Sequence, residues 1–169
     1  HKKLKVKYKN LLTIIIPRHV SRVNKITQEM KKLNLNTHIH NSKNKMNKNT
    51  DIYLVNSYGE TKSFFKTCKI VFLGGSLIKH GGQNPLEPAR YGCKIIHGPN
   101  IWNFKEVYNL LNRFNISSKT SGINQMTKVI NNLFKNKFNS MKIKLTINSL
   151  GHKILQDTFR EINYFITKK

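Results

Sequence analysis

Three clusters of polar residues and glycines carry the chemistry this chain could perform: Pro17-Arg18-His19, then Asn56-Ser57-Tyr58-Gly59-Glu60, then Gly74-Gly75-Ser76 running on through Gly81-Gly82 to Asn84-Pro85-Leu86-Glu87. An arginine guanidinium is a planar fork that matches a phosphate. Glycine turns and helix N-termini leave backbone N–H groups unpaired, and these bind anions. A carboxylate beside such a turn accepts hydrogen bonds from sugar hydroxyls, as in dinucleotide-binding folds. The ligand class implied is phosphorylated. Each residue also has a plainer reading. Arg18 can be a solvated strand-end charge, His19 a loop histidine without a ligand, and Glu60 a complement to a helix dipole. Asn84 and Glu87 fit a capping box with Pro85 at the first helical position. Scarcity tilts the balance: the chain has only seven Asp and Glu, and Glu60 and Glu87 both open helices beside glycine loops.

The elements that must position these clusters follow from the apolar pattern. Leu4 to Tyr8 reads as the tail of an amphipathic helix under way at His1, which suggests a natural beginning upstream. Leu11 to Ile16 is a β-branched run stopped by Pro17, hence a buried strand. Ser21 to Leu33 places Val23, Ile26, Met30 and Leu33 at helical spacing, with Ser21 as the cap. Thr37–His40 and Ile52–Val55 are short strands around a polar loop, residues 41–49. Gly59 to Cys68 is a helix with Phe64 and Phe65 inward. Lys69 to Leu73 and Lys94 to His97 are strands, the latter ending in the turn Gly98-Pro99-Asn100. Phe104 to Phe114 is a helix with Val107, Leu110, Leu111 and Phe114 on one face. Gly122 to Phe134 repeats that pattern with Ile123, Met126, Ile130 and Leu133. Met141 to Ile166 forms one or two helices with a possible break at Gly151. Alternating strands and helices predict an α/β, Rossmann-like fold, one parallel sheet with helices on both faces. The polar clusters follow strands and would gather at their carboxyl edge, where such folds bind ligands.

A chain of 169 residues suits a single domain, 1–169. No segment has the length and apolarity of a membrane-spanning helix, and lysines interrupt the first residues too often for a signal-peptide pattern. Cys68 and Cys93 lack metal-ligand spacing, which predicts buried, reduced thiols in a cytosolic protein. The charge is extreme: 31 Lys and Arg against 7 Asp and Glu give +24. Such a balance draws a protein to nucleic acid, anionic membrane or anionic substrates. Yet 26 of those cations are Lys and 5 Arg, with heavy Asn and Ile usage, and they are scattered from end to end. An AT-rich genome produces that composition unaided, with membrane attraction as a by-product. The aromatics sit in helical stripes and are not interleaved with arginine, which argues against a nucleic-acid-binding protein.

Taken in order and spacing, Pro17-Arg18-His19, Gly59-Glu60, Gly74-Gly75-Ser76-Leu77, Gly81-Gly82-Gln83-Asn84-Pro85-Leu86-Glu87-Pro88-Ala89, Gly98-Pro99 and Asn103-Phe104 resemble the carboxyl-terminal half of bacterial 3-deoxy-D-manno-octulosonic acid (Kdo) transferases. These are two-lobed GT-B glycosyltransferases of glycosyltransferase family 30. The resemblance covers essentially the whole chain. It implies a donor-binding domain for CMP-Kdo, serving transfer to the lipid A precursor in lipopolysaccharide biosynthesis at the cytoplasmic face of the inner membrane. Arg18 and His19 would approach the cytidine monophosphate, and Gly59 and Glu60 the nucleotide. Gly74, Gly75 and Ser76 would let backbone approach the donor, and Asn84 and Glu87 would hold the ribose or the sugar. The resemblance implies no metal and no other cofactor. Its partners would be CMP-Kdo, the lipid A precursor through an amino-terminal lobe, and the anionic membrane surface, with no specific nucleic acid. That lobe, with the membrane anchor, the acceptor site and a carboxylate general base, is not matched here, so the chain alone should bind donor without transfer. Two departures stand out: Gln83 replaces a usual His, removing any acid–base role at that position, and Val20-Ser21-Arg22 replaces the common Pro-Glu-Arg. The alternative enzyme reading is another GT-B-type protein, such as a UDP-sugar epimerase; preference for cytidine over uridine separates the two.

Overall fold

A computed structural model describes residues 1–168; Lys169, the last residue of the expected 1–169 domain, lies outside them. The chain divides into two compact units, His1–Phe64 and Phe65–Lys169. Each has its own three-stranded parallel sheet. The α/β architecture predicted from the sequence is therefore present, whereas the one continuous sheet is two: ladder hydrogen bonds close within each triplet of strands.

The first unit begins with α1 (Lys2–Lys5), a single turn that buries Leu4. Asp51 anchors it, accepting from Lys5 Nζ at 2.9 Å and from the Asn36 N–H at 3.0 Å. Its strands are β1 (Thr13–Ile15), β2 (Thr37–Ile39) and β3 (Ile52–Leu54), in the order β1-β3-β2. Ile15 and Ile39 both pair with Leu54, so all three strands end at one level. Between β1 and β2, which flank β3 on either side, runs α2 (Val23–Lys32), the crossover that a parallel connection requires. Val23 and Ile26 bury against Leu54, with Ile15, Val20 and Met30 around them. Leu33, expected on that face, is 49% exposed because the helix ends before it. The predicted cap at Ser21 is also absent. Ser21 lies inside a 3-10 turn, Val20–Arg22, and no side chain caps α2. Helix α3 (Thr61–Thr67) is shorter than expected and contains the division between the units.

The second unit is sequential: β4 (Ile70–Phe72), α4 (Leu86–Arg90), β5 (Lys94–His97), α5 (Lys105–Arg113) and β6 (Ser117–Lys119), with sheet order β4-β5-β6. Helices α6 (Ile123–Lys135) and α7 (Ser140–Thr167) follow. The core joins Leu73, Ala89, Ile95, Tyr108, Leu111, Ile116, Ile143 and Ile147. Phe114, predicted inward, is 45% exposed, and Tyr108 occupies the core instead. Strand β6 has no apolar run to announce it; Ser117 and Ser118 pair with Ile95 and Ile96 through backbone alone. Helix α7 runs unbroken through Gly151, started by Asn139, whose side chain accepts from the Lys142 N–H. Cys68 and Cys93 are free thiols, and Cys93 donates to the Cys68 carbonyl at 3.1 Å. Burial pushes the Cys93 thiol up to about 12, which makes it inert. No helix among the described residues is long and apolar enough to cross a membrane.

Candidate functional site

In the first unit, parallel pairing brings two of the polar clusters to one sheet edge. Strands β1 and β3 are neighbours in register, so Pro17–His19 and the stretch from Asn56 to Glu60 leave the same carboxyl end. The loops touch: Tyr58 Oη accepts from the Val20 N–H at 3.4 Å. Arg18 and His19 are exposed, and neither side chain has a partner among the described residues. Gly59 takes φ +83, a left-handed turn that glycine adopts freely, and delivers the chain into Glu60. The Glu60 carbonyl accepts from the Ser63 and Phe64 N–H groups, and its carboxylate is 37% exposed. Just behind the loop, Asn56 Oδ1 and Ser57 Oγ are sealed from solvent without a hydrogen-bond partner.

The same edge holds His40, a residue the sequence reading treated only as a strand end. Its Nδ1 lies 2.8 Å from Tyr53 Oη, and its Nε2 lies 3.9 Å from Glu60 Oε1. The signal available was the alternation of His38 and His40 along a strand. Without the pairing partner β3, nothing tied either one to Glu60.

In the second unit the glycine loop after β4 is locked to the turn after β5. Ser76 is fully buried; its hydroxyl donates to the Leu73 carbonyl at 2.6 Å and accepts from the Gly98 N–H at 2.8 Å. The Ser76 carbonyl accepts from the Asn100 N–H at 2.9 Å. A Cβ at Gly98 would fall on the Ser76 carbonyl, so no other residue fits there. Further along, the Gly82 N–H reaches the Gly75 carbonyl and the Asn103 N–H reaches the Gly81 carbonyl, both at 3.3 Å. The Ser76 side chain is thus occupied internally and shapes the loop. Gly74 and Gly75 present backbone, Gly75 at φ +73.

Asn84 and Glu87 form half of the expected capping box. Asn84 Oδ1 accepts from the Leu86 N–H at 3.0 Å, but α4 begins one residue later than predicted, with Pro85 at the cap position. Glu87 makes no return bond; its carboxylate is half-buried and has no partner among the described residues. Two further residues brace the loop. Tyr108 donates to the Gln83 carbonyl at 2.9 Å, and His97 packs on the Tyr108 ring at 4.3 Å between centroids. His97 Nδ1 meets the Gly98 carbonyl at 2.7 Å. Burial holds the His97 ring below its ordinary value, so it is neutral, and pushes Tyr108 up to about 12. No group of three or more potential metal ligands occurs among the described residues.

No family model matches the chain. The 3-deoxy-D-manno-octulosonic acid transferase of Haemophilus influenzae is 40% identical over 112 residues, which is 66% of this chain and 26% of that protein. The enzyme of the same name from Rickettsia felis is 38% identical over 100 residues, 59% of this chain and 21% of that one. Among solved structures, the C-terminal CMP-Kdo binding domain of WaaA from Acinetobacter baumannii matches with a TM-score of 0.76 at 25% identity. That match covers 91% of this chain and 80% of the other. The chain spans about a quarter of the length of the relatives it matches. The resemblance read from the motifs is borne out: the chain is similar to Kdo transferases in sequence and to the C-terminal CMP-Kdo binding domain of WaaA in fold.

Proposed function

We propose that this chain is the donor-binding domain of a Kdo transferase and that it holds CMP-Kdo. The observation that carries the reading is the likeness, across 91% of the chain, to the C-terminal CMP-Kdo binding domain of WaaA from Acinetobacter baumannii. The residues suit that ligand. Arg18, exposed and unpartnered, can lay its fork on the phosphate, with His19 beside it. The turn at Gly59 and the backbone at Gly74 and Gly75 offer close approach, with Ser76 holding the second of these turns in shape. Glu60 and Glu87 accept from hydroxyls of the ribose or the sugar. Because Asn84 Oδ1 is taken by Leu86, its amide NH2 is the end left to donate.

The reaction assigned to the full two-lobed GT-B enzyme is inverting transfer. A hydroxyl of the lipid A precursor attacks the anomeric carbon of Kdo, the bond to the CMP phosphate breaks, and CMP leaves with the electron pair. A carboxylate on the amino-terminal lobe takes the hydroxyl proton. No protein-held metal enters this scheme. The chain by itself binds donor and transfers nothing. The setting is the cytoplasmic face of the inner membrane, where a charge of +24 favours the anionic lipid surface.

Calorimetric titration of the chain with CMP, with UMP as control, tests the reading. CMP should bind more tightly than UMP, and Arg18→Ala or Glu87→Ala should weaken it by about tenfold or more, the worth of a charge-assisted hydrogen bond. Equal affinity for both nucleotides, or no binding by folded protein, would reject it.

A further inference from the structure

We infer that His40 is a positioning residue for the Glu60 carboxylate, holding it in place for the nucleotide. The inference rests on the donor-binding reading of Glu60. His40 directly follows β2, and its N–H donates to the Leu54 carbonyl at 2.8 Å, which ties its backbone to β3. Since β1, β3 and β2 run parallel in register, His40 emerges at the edge from which Pro17–His19 and the Asn56–Glu60 loop also leave.

The imidazole is fixed on several sides. Tyr53 Oη lies 2.8 Å from Nδ1, and the ring meets Tyr53 and Phe64 edge-on at 5.6 and 5.7 Å. The side chain is 18% exposed. Its remaining nitrogen, Nε2, faces Glu60 Oε1 at 3.9 Å. A carboxylate is an acceptor only, so the favourable arrangement puts a proton on Nε2. Nδ1 is then the lone pair that accepts the Tyr53 O–H. Tyr53, His40 and Glu60 thus form a directional chain from a hydroxyl to a carboxylate. At 3.9 Å the ring acts on the carboxylate electrostatically, not through a direct hydrogen bond.

Among the described residues His40 is the one charged or chargeable group paired with Glu60. A glutamate side chain otherwise free to rotate must be ordered when it accepts a ligand hydroxyl, which costs affinity. A rigid imidazole facing Oε1 reduces that cost and leaves Oε2 directed at the ligand. His40 is not part of the unit's buried apolar cluster, which is built on Val23, Ile26 and Leu54.

The test is a double-mutant cycle on CMP affinity, read by calorimetry, with thermal unfolding recorded for every variant. His40→Phe keeps the aromatic contacts and removes both nitrogens. It should weaken CMP binding by about fivefold and, because the Tyr53 O–H loses its acceptor, lower the unfolding midpoint only slightly, leaving the protein folded. In a Glu60→Gln background the same change should have no effect, because there is no carboxylate to hold. His40→Gln, whose amide N–H can face Glu60, should recover most of the affinity. The His40 ring 15N shifts should also move when CMP is added. Equal losses from His40→Phe in both backgrounds, or no loss in either, overturn the inference while the donor-binding reading stands. If Arg18→Ala weakens CMP binding and Glu60→Gln does not, Glu60 is not a donor contact and the inference falls alone. If the folded chain binds no CMP, both fall together.

Discussion

Replacing Ser76 with alanine removes one oxygen, and the structure sets what that costs. The hydroxyl is fully buried, donates to the Leu73 carbonyl at 2.6 Å and accepts from the Gly98 N–H at 2.8 Å. Truncation leaves a donor and an acceptor without partners. Water has little room to replace the hydroxyl, since Gly98 packs against the Ser76 carbonyl closely enough to exclude a Cβ. A buried polar group left unsatisfied costs about 1–3 kcal/mol, so the pair should cost about 2–6 kcal/mol. That is a large share of the ~5–15 kcal/mol by which domains are stable. With a urea slope of about 2 kcal/mol/M, the midpoint should fall by about 1–3 M. Trp102 is the only tryptophan and sits beside Gly81, so its fluorescence reports this unit. Ser57→Ala is the contrast: Ser57 Oγ is buried without a partner, and its removal should leave stability unchanged or improved. A loss below about 1 kcal/mol for Ser76→Ala would refute the claim that this hydroxyl locks the glycine loop.

Gly151 lies inside α7 with open space where a Cβ would stand, so Gly151→Ala should stabilise the protein by about 0.5–1 kcal/mol; thermal unfolding would show a loss instead if the helix is broken there. His97 is kept neutral by burial, while an unfolded chain takes up a proton near about 6.5. Stability should therefore fall as pH drops from about 7 to about 5.5, and His97→Phe should flatten that dependence in pH-resolved denaturation; an unchanged slope would sink the assignment. Asp51 is held below the usual carboxylate range, chiefly by the Lys5 hydrogen bond and then by the Asn36 N–H. Its stabilisation is present above the unfolded value of about 3.9 and lost as pH falls through the lower folded one. Asp51→Asn should thus cost about 1–2 kcal/mol at neutral pH and progressively less in acid.

Legibility in the sequence tracked how much each element depends on side-chain pattern. Strand β5 was readable to the residue because Lys94–His97 is a β-branched run closed by Gly98-Pro99. Helix α2 was readable from Val23, Ile26 and Met30, but its start was not: Ser21 looks like a cap, yet the chain enters through a 3-10 turn that moves the helix past it. Strand β6 was invisible, since Ser117-Ser118-Lys119 is placed by backbone pairing with β5 and by the buried Ser117 hydroxyl donating to the Tyr108 carbonyl, not by an apolar pattern. The candidate site shows the same division. Arg18, Glu60 and Glu87 stand out by type and scarcity. The internal use of the Ser76 hydroxyl and the placing of His40 against Glu60 are long-range contacts with no local signature. The positive charge was legible as a number, and its scatter along the chain is equally plain in the fold, where both units carry it.

The nine candidate residues differ in how they are held, and that difference bears on how a nucleotide sugar would be bound. Gly74, Gly75 and Ser76 belong to a loop fastened by buried hydrogen bonds to Gly98 and Asn100, with Tyr108 bracing Gln83 further along. Asn84 has its oxygen committed to the start of α4. These parts would need little ordering on binding a ligand, which suits the proposed approach of the donor to the backbone there. Arg18, His19 and Glu87 are the opposite case, polar side chains with no partner among the described residues. A surface side chain left unpaired is unremarkable in isolation, but Glu87 is half-buried and one of only seven acids in a chain of 169. Glu29, Glu106 and Glu161 also lack an ion pair among the described residues, but all three are exposed, so Glu87 is the one unpaired acid that burial partly strips of water. A hydroxylated ligand beside the glycine loop would supply the missing hydrogen bonds, which is the role proposed for Glu87 in donor binding.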